Sequence, residues 1–158
     1  MLYETLGLDI SGEKTQSFYG KFLGEGHFFI PGAEALLEAL WGKYRLFLVS
    51  NGNISVQSGR LASAGIEKYF EKIFISEAVG VNKPDRAFFD RCFAAIGDFR
   101  PEESIIVGDS LTSDIRGGLG AGIKTCWFNP AGKPGREDIV PHHTIRALSE
   151  LPGLLARL

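Results

Sequence analysis

The stretch Ser104–Asp114, Ser-Ile-Ile-Val-Gly-Asp-Ser-Leu-Thr-Ser-Asp, decides how the rest of the chain is read. Ile105, Ile106 and Val107 form a short β-branched run, the pattern of a strand buried on both faces of a parallel sheet. Gly108 breaks the run, Asp109 stands at the strand end, and Asp114 lies at the mouth of a helix predicted over Leu111–Ala121. In an open parallel sheet, ligands bind beyond the carboxyl ends of the strands. Two carboxylates placed there suit a hard, oxygen-liganded cation such as Mg²⁺. The same residues also fit an ordinary helix start, with Ser110 or Thr112 as N-cap and Asp114 favoured in the first turn by the helix dipole.

Upstream, Tyr44–Val49 predicts a second buried strand, cut off by Ser50-Asn51-Gly52. A helix follows over Ser55–Ala64 and stops at Gly65, a good C-terminal glycine. Lys72–Ser76 predicts a short strand, and the turn Gly80-Val81-Asn82-Lys83-Pro84 leads into a helix carrying Phe88, Phe89, Phe93 and Ile96. Nearer the N-terminus, Ala33, Leu36, Leu37 and Leu40 recur at helical spacing behind Pro31. Before them, Glu13–Leu23 predicts a helix with Ser11 as N-cap, followed by a Gly24-Glu25-Gly26 hinge. Downstream of the opening stretch come a strand over Ile123–Phe128, a Gly- and Pro-rich loop over Asn129–Pro141 and an edge strand at His143-Thr144-Ile145. A last helix, Arg146–Leu158, should be interrupted by Pro152-Gly153. Strands alternating with helices imply an α/β fold, a three-layer Rossmann-like parallel sheet with helices on both faces.

Composition narrows the function classes. A chain of 158 residues with 44% hydrophobic and 23% charged residues is long enough for one substantial core. A net charge of −2 offers no electrostatic reason for a nucleic-acid or anionic-membrane partner. No apolar run approaches the ~18 residues of a membrane span, and Met1–Gly7 lacks the regions of a signal peptide. Cys92 and Cys126 show no metal-ligand spacing and read as small core residues of a reduced, cytoplasmic protein.

Three strand ends thus carry polar or charged groups: Ser50-Asn51, Lys83, and Asp109 with Asp114. Each alone has a plain explanation as turn, cap or solvated lysine. Converging on one crevice, they make a phosphate site. A hydroxyl and backbone amides donate to phosphoryl oxygens, an ammonium offsets their charge, and a carboxylate-bound cation takes the transferring group. The glycines at 117, 118, 120 and 122 do not make a dinucleotide-binding loop, because Ile123 occupies the third glycine position and the cluster ends a helix.

Leu48-Val49-Ser50-Asn51, Gly80-Val81-Asn82-Lys83-Pro84-Asp85 and Val107-Gly108-Asp109 through Asp114 resemble, in order and spacing, motifs II, III and IV of the haloacid dehalogenase (HAD) superfamily. The segment from Thr125 to Ile145 is similar to the pyrimidine 5′-nucleotidase branch. The resemblance implies a Mg²⁺-dependent phosphomonoester hydrolase acting on a small phosphorylated metabolite, a nucleoside monophosphate among the candidates. Ser50 and the backbone N–H of Asn51 would bind the phosphoryl group and Lys83 would stabilise its charge. Asp109 would ligate Mg²⁺ directly, and Asp114 would bind it through water or orient Lys83. Residues 1–28 would be the remnant of a helical cap and hinge, and residues 29–158 the core domain.

The resemblance stops short of the family's first motif. A hydrophobic strand ending in Asp-x-Asp-x-Thr/Val, central in the sheet between the strands ending at Ser50 and Asp109, supplies the nucleophile and the acid/base group there. This chain contains no Asp-x-Asp pair. Asp9 follows Gly7-Leu8 rather than a buried strand, and Ser11 stands where the second acid would be. The expectation is a truncated, nearly inactive phosphatase that lacks its usual first strand. The alternative is a non-catalytic assembly module or swapped homodimer, since unpaired strand edges invite pairing with another chain.

Overall fold

A computed structural model describes residues 26–158. The expected helix over 13–23, its Ser11 cap, Asp9 and nearly all of the segment read as a cap remnant lie outside the described residues. The elements run α1 (Ala33–Leu40), β1 (Phe47–Ser50), α2 (Ile54–Ala64), β2 (Lys72–Ile75), α3 (Ser76–Val79), α4 (Arg86–Ala95) and β3 (Ile105–Gly108). A wide turn over Leu111–Ile115 follows, then α5 (Arg116–Ala121), β4 (Lys124–Phe128), β5 (His143–Ile145) and α6 (Leu151–Leu155).

All strand pairs are parallel. Phe47 to Ser50 lie opposite Lys72 to Ile75, so β1 and β2 end level with each other. In the second group Gly108 is opposite Trp127 and Phe128 is opposite Ile145, in the order β3-β4-β5. Among the described residues β1 and β3 share no ladder, and the sheet is in two parts.

Alternation along β3 separates two cores. Ile106 packs with Phe88, Phe89, Cys92, Ala121 and Ile123, joined by Val49 and Phe74 of the other strand pair. Ile105 faces the opposite layer, where Leu40, Cys126, Ile145, Leu151 and Leu154 meet. Helices α4 and α5 therefore cover one face and α1 and α6 the other, the expected three layers. Burial pushes the thiols of Cys92 and Cys126 up to about 11, and both are free. Buried, protonated thiols fit the reading of small apolar fillers.

Four expectations need correction. Val107 is 36% exposed, so β3 is not buried on both faces as its sequence suggests. The cause is local: among the described residues β3 is paired on its β4 side alone. Pro152 does not interrupt the last helix but sits in its first turn, where a missing N–H breaks no intrahelical bond. The first strand starts at Phe47 rather than Tyr44, and the second ends at Ile75 because Ser76 already begins α3.

The glycines that failed as a nucleotide loop have a packing role. A Cβ on Gly118 would stand 2.5 Å from Ile106 Cγ2 and 2.8 Å from Thr125 Cγ2, so α5 lies on the sheet only because that atom is absent. Gly120, in the same helix, has open space where its Cβ would go. Gly118→Ala should cost about 1–3 kcal/mol through overpacking. Gly120→Ala should be neutral or stabilising by up to ~1 kcal/mol. Urea midpoints of the two variants check this, and equal midpoints would refute the packing account.

Candidate active site

Lys83 is the centre of the site and is held from two directions. Asn51, the first residue after β1, grips its main chain. The Asn51 Oδ1 accepts the Lys83 N–H at 2.8 Å, and Nδ2 donates to the Lys83 carbonyl at 2.8 Å. One side chain thus satisfies both backbone groups of the lysine, just before the cis Lys83–Pro84 peptide. The lysine is 7% exposed, and its ammonium donates to the Val49 carbonyl at 2.8 Å and to Asp114 Oδ1 at 2.7 Å. An ammonium is rarely so deep unless paired and hydrogen-bonded.

The partner carboxylate is placed by the turn after β3. The N–H groups of Asp114 and Ile115 both reach the Ser110 carbonyl, at 3.0 and 3.1 Å, which makes one turn wider than an α-helical turn. Ser110 is the N-cap, its Oγ accepting the Ser113 N–H at 3.2 Å, as the capping reading of this stretch expects. The turn folds Asp114 back until Oδ2 accepts the Ser110 N–H at 3.2 Å while Oδ1 faces Lys83. Gly108 makes room for it, since a Cβ there would lie 2.5 Å from Asp114 Cβ and Cγ.

Asp109 is exposed at the end of β3, and its carbonyl accepts the indole N–H of Trp127 at 3.0 Å. Trp127 is buried against Ile115 and Ile139, so β4 and the following loop hold this strand end from behind. Ser50 is half-buried and follows Val49, whose carbonyl receives the Lys83 ammonium. Beside Gly52 and Asn82 lies an open depression of about 410 Å³, with Ser76 and Glu77 in its wall. The structure therefore bonds Lys83 to both Asn51 and Asp114, with Ser50 adjacent to Asn51 in the chain and Asp109 at the start of the turn that carries Asp114.

Among the described residues no group of three or more His, Cys, Asp or Glu side chains could hold a metal ion. The residues present fit Mg²⁺ in kind. Asp109 is exposed, and each Asp114 oxygen accepts a single hydrogen bond, leaving acceptor capacity on both. Two hard carboxylates match the cation's preference, and further oxygen ligands would complete its coordination.

Sequence reasoning missed three groups. The Asn51 side chain acts on the Lys83 backbone, Trp127 fixes the Asp109 carbonyl, and Ser76 Oγ accepts the Gly52 N–H at 3.0 Å. Nothing in the linear sequence pairs these positions. The one usable signal was the placement of Asn51 at a strand end.

The sequence model described as "Haloacid dehalogenase-like hydrolase" matches residues 11–128. A Bacillus subtilis protein named as a HAD-hydrolase, YfnB, is 40% identical over 154 residues, covering 98% of this chain and 66% of YfnB. The pyrimidine 5′-nucleotidase PynA of Streptococcus pneumoniae is 34% identical over 151 residues, covering 95% of this chain and 64% of PynA. A crystal structure of YfnB bound to magnesium matches with a TM-score of 0.91 at 40% identity, over 98% of this chain and 68% of that one. The chain spans just under two thirds of the length of these two curated relatives. A family match across most of the sequence, with a relative this similar along nearly all of it, admits one conclusion: the chain belongs to the haloacid dehalogenase-like hydrolases.

Proposed function

We propose that the crevice around Lys83 is the phosphoryl-binding part of a Mg²⁺-dependent phosphomonoester hydrolase for small phosphorylated metabolites. The observation that carries this reading is the buried Lys83 ammonium, held between the Val49 carbonyl and Asp114 at the carboxyl ends of the strands. Its charge offsets that of a phosphoryl group, and its rigid mounting means little reorganisation when that group arrives. The Ser50 hydroxyl and the Asn51 backbone N–H donate to phosphoryl oxygens. Asp109 would hold Mg²⁺ directly, and Asp114 would bind it through water or orient Lys83, whose ammonium it accepts. Bound there, the cation would neutralise charge on the transferring group.

The similarity to PynA, named a pyrimidine 5′-nucleotidase, supports a nucleoside monophosphate as the substrate of this chain. The depression beside Asn82 and Gly52 offers a polar wall for the leaving group. The protonated, buried thiols favour a reducing compartment, the cytoplasm. On the family resemblance, residues 1–28 belong to a cap and 29–158 to the core domain.

The sequence contains no Asp-x-Asp pair, so the attacking carboxylate and its acid/base partner have no counterpart in this chain. Loss of a nucleophile lowers turnover by about 10⁴–10⁶. We therefore expect the 158-residue chain to release almost no phosphate from p-nitrophenyl phosphate or nucleoside monophosphates. Release well above buffer and lost with EDTA would assign the attack to another carboxylate, Asp9 first.

Binding tests the site independently of turnover. In calorimetry, Mg²⁺ should bind the chain and Asp109→Asn should abolish that binding; unchanged affinity would refute the role of Asp109. One observation favours a second reading, strand exchange between two copies: β1 and β3 each keep an edge unpaired among the described residues. Size-exclusion chromatography with light scattering should then give a dimer, and a monomer at high concentration counts against it.

A further inference from the structure

The arrangement that fixes Lys83 occurs a second time, at the end of β4. Asn129, 6% exposed and the first residue after Phe128, accepts the Lys133 N–H on Oδ1 at 2.9 Å. Its Nδ2 donates to the Lys133 carbonyl at 2.9 Å. Both clamps join an asparagine at a strand's carboxyl end to the backbone of a lysine that precedes proline, Lys83-Pro84 in one and Lys133-Pro134 in the other. The two lysines differ in what their ammonium groups do. Lys83 is buried and paired, whereas Lys133 is exposed and has no ion-pair partner among the described residues.

A second cation lies against the residue that precedes Lys133. Arg146 follows β5 directly, and the Asn129 N–H donates to the Ile145 carbonyl at 2.8 Å, which draws the two strand ends together. The Arg146 guanidinium lies against Gly132, with Nη2 3.7 Å from where a Cβ would stand. Gly132 has φ +62°, a left-handed turn that glycine adopts without strain. The guanidinium is exposed and likewise makes no ion pair among the described residues. Glu150 is the nearby acid, but its Oε1 is taken by the N–H groups of Arg146 and Ala147 at 2.9 and 2.7 Å. Those two amides hold its carboxyl below the ordinary value. The neighbouring cations Arg116 and Arg136 are both committed to Asp138.

We propose that Lys133 and Arg146 form an anion-binding cradle at the carboxyl ends of β4 and β5, fitted to a phosphate or carboxylate group. A buried asparagine that fixes the backbone under one exposed cation, with a second cation seated against the adjacent glycine, mounts two positive charges on one rim. A fork-shaped guanidinium and a point-charge ammonium suit a tetrahedral or planar oxyanion. β5 lies two strand spacings from β3, about 10 Å. The anion is therefore either the distal charged group of the same substrate or a separate small anion.

The test is titration of the ¹⁵N-labelled 158-residue chain with inorganic phosphate, followed by amide chemical shifts. The amides of Gly132, Lys133, Arg146 and Ala147 should shift saturably. In the variant carrying Lys133→Met and Arg146→Met, that response should weaken by about tenfold or more. An unchanged response in the variant overturns the cradle. So does silence at these amides while those around Asn51 and Lys83 respond, a result that leaves the phosphoryl reading of the Lys83 crevice intact. Shifts confined to the cradle support it and count against that phosphoryl reading. Repeating the titration with 1,6-hexanediol bisphosphate separates the sources. Tighter binding than inorganic phosphate, with both sets of amides responding, identifies the distal group of a substrate. Equal affinity identifies a separate anion.

Discussion

The crevice depends on one buried ion pair. The Lys83 ammonium meets Asp114 Oδ1 at 2.7 Å, with side-chain exposures of 6% and 11%, and also takes the carbonyl of Val49. Val49 belongs to β1 and Asp114 to the turn after β3, so one side chain ties the two parts of the sheet at their carboxyl ends. Pairing a charge there is a requirement, because removing one partner of a buried pair costs about 3–5 kcal/mol. The surroundings follow from that constraint. Asn51 fixes the lysine backbone, the wide turn over Leu111–Ile115 folds the aspartate back, and Gly108 gives it space.

The apolar side of the structure holds the same groups in place. Ile115, fully buried and next to Asp114, packs with Trp127 and Ile139. Trp127 adds the hydrogen bond to the Asp109 carbonyl, so one residue of β4 supports both acidic positions. Arg116 reaches across to Asp138, and His142 Nδ1 takes the Thr125 N–H at 3.1 Å, anchoring the loop after β4 at its far end. The rim of the crevice therefore rests on a loop that is polar outside and pinned inside by Ile139, rather than on the sheet alone.

Much of this was legible in one dimension. The run Ile105–Val107, the phenylalanines at 88 and 89 and the stops at Gly65 and Gly108 identified parallel strands and covering helices. The strand-end motifs at Ser50-Asn51, Lys83 and Asp109 marked the crevice because a parallel sheet gathers its carboxyl ends on one side. The burial of Val107 and the effect of Pro152 were misjudged. Burial depends on a strand's neighbours and not on its own hydrophobicity, and a proline's effect depends on where the helix begins.

The sequence by itself determined the order of elements, the α/β class and the chemistry available at each strand end. These follow from local periodicity, backbone preference and side-chain type. Only the tertiary structure decided that Asn51 serves the backbone of Lys83, that Asp114 faces the ammonium while Asp109 faces solvent, and that Asn129 repeats the same clamp under Lys133. The reason is physical. A hydrogen bond forms where two groups arrive within about 3 Å in the right orientation. For residues 51 and 83, that arrival is set by the β1–α2–β2 crossover and a packed core, which no local pattern in the chain records.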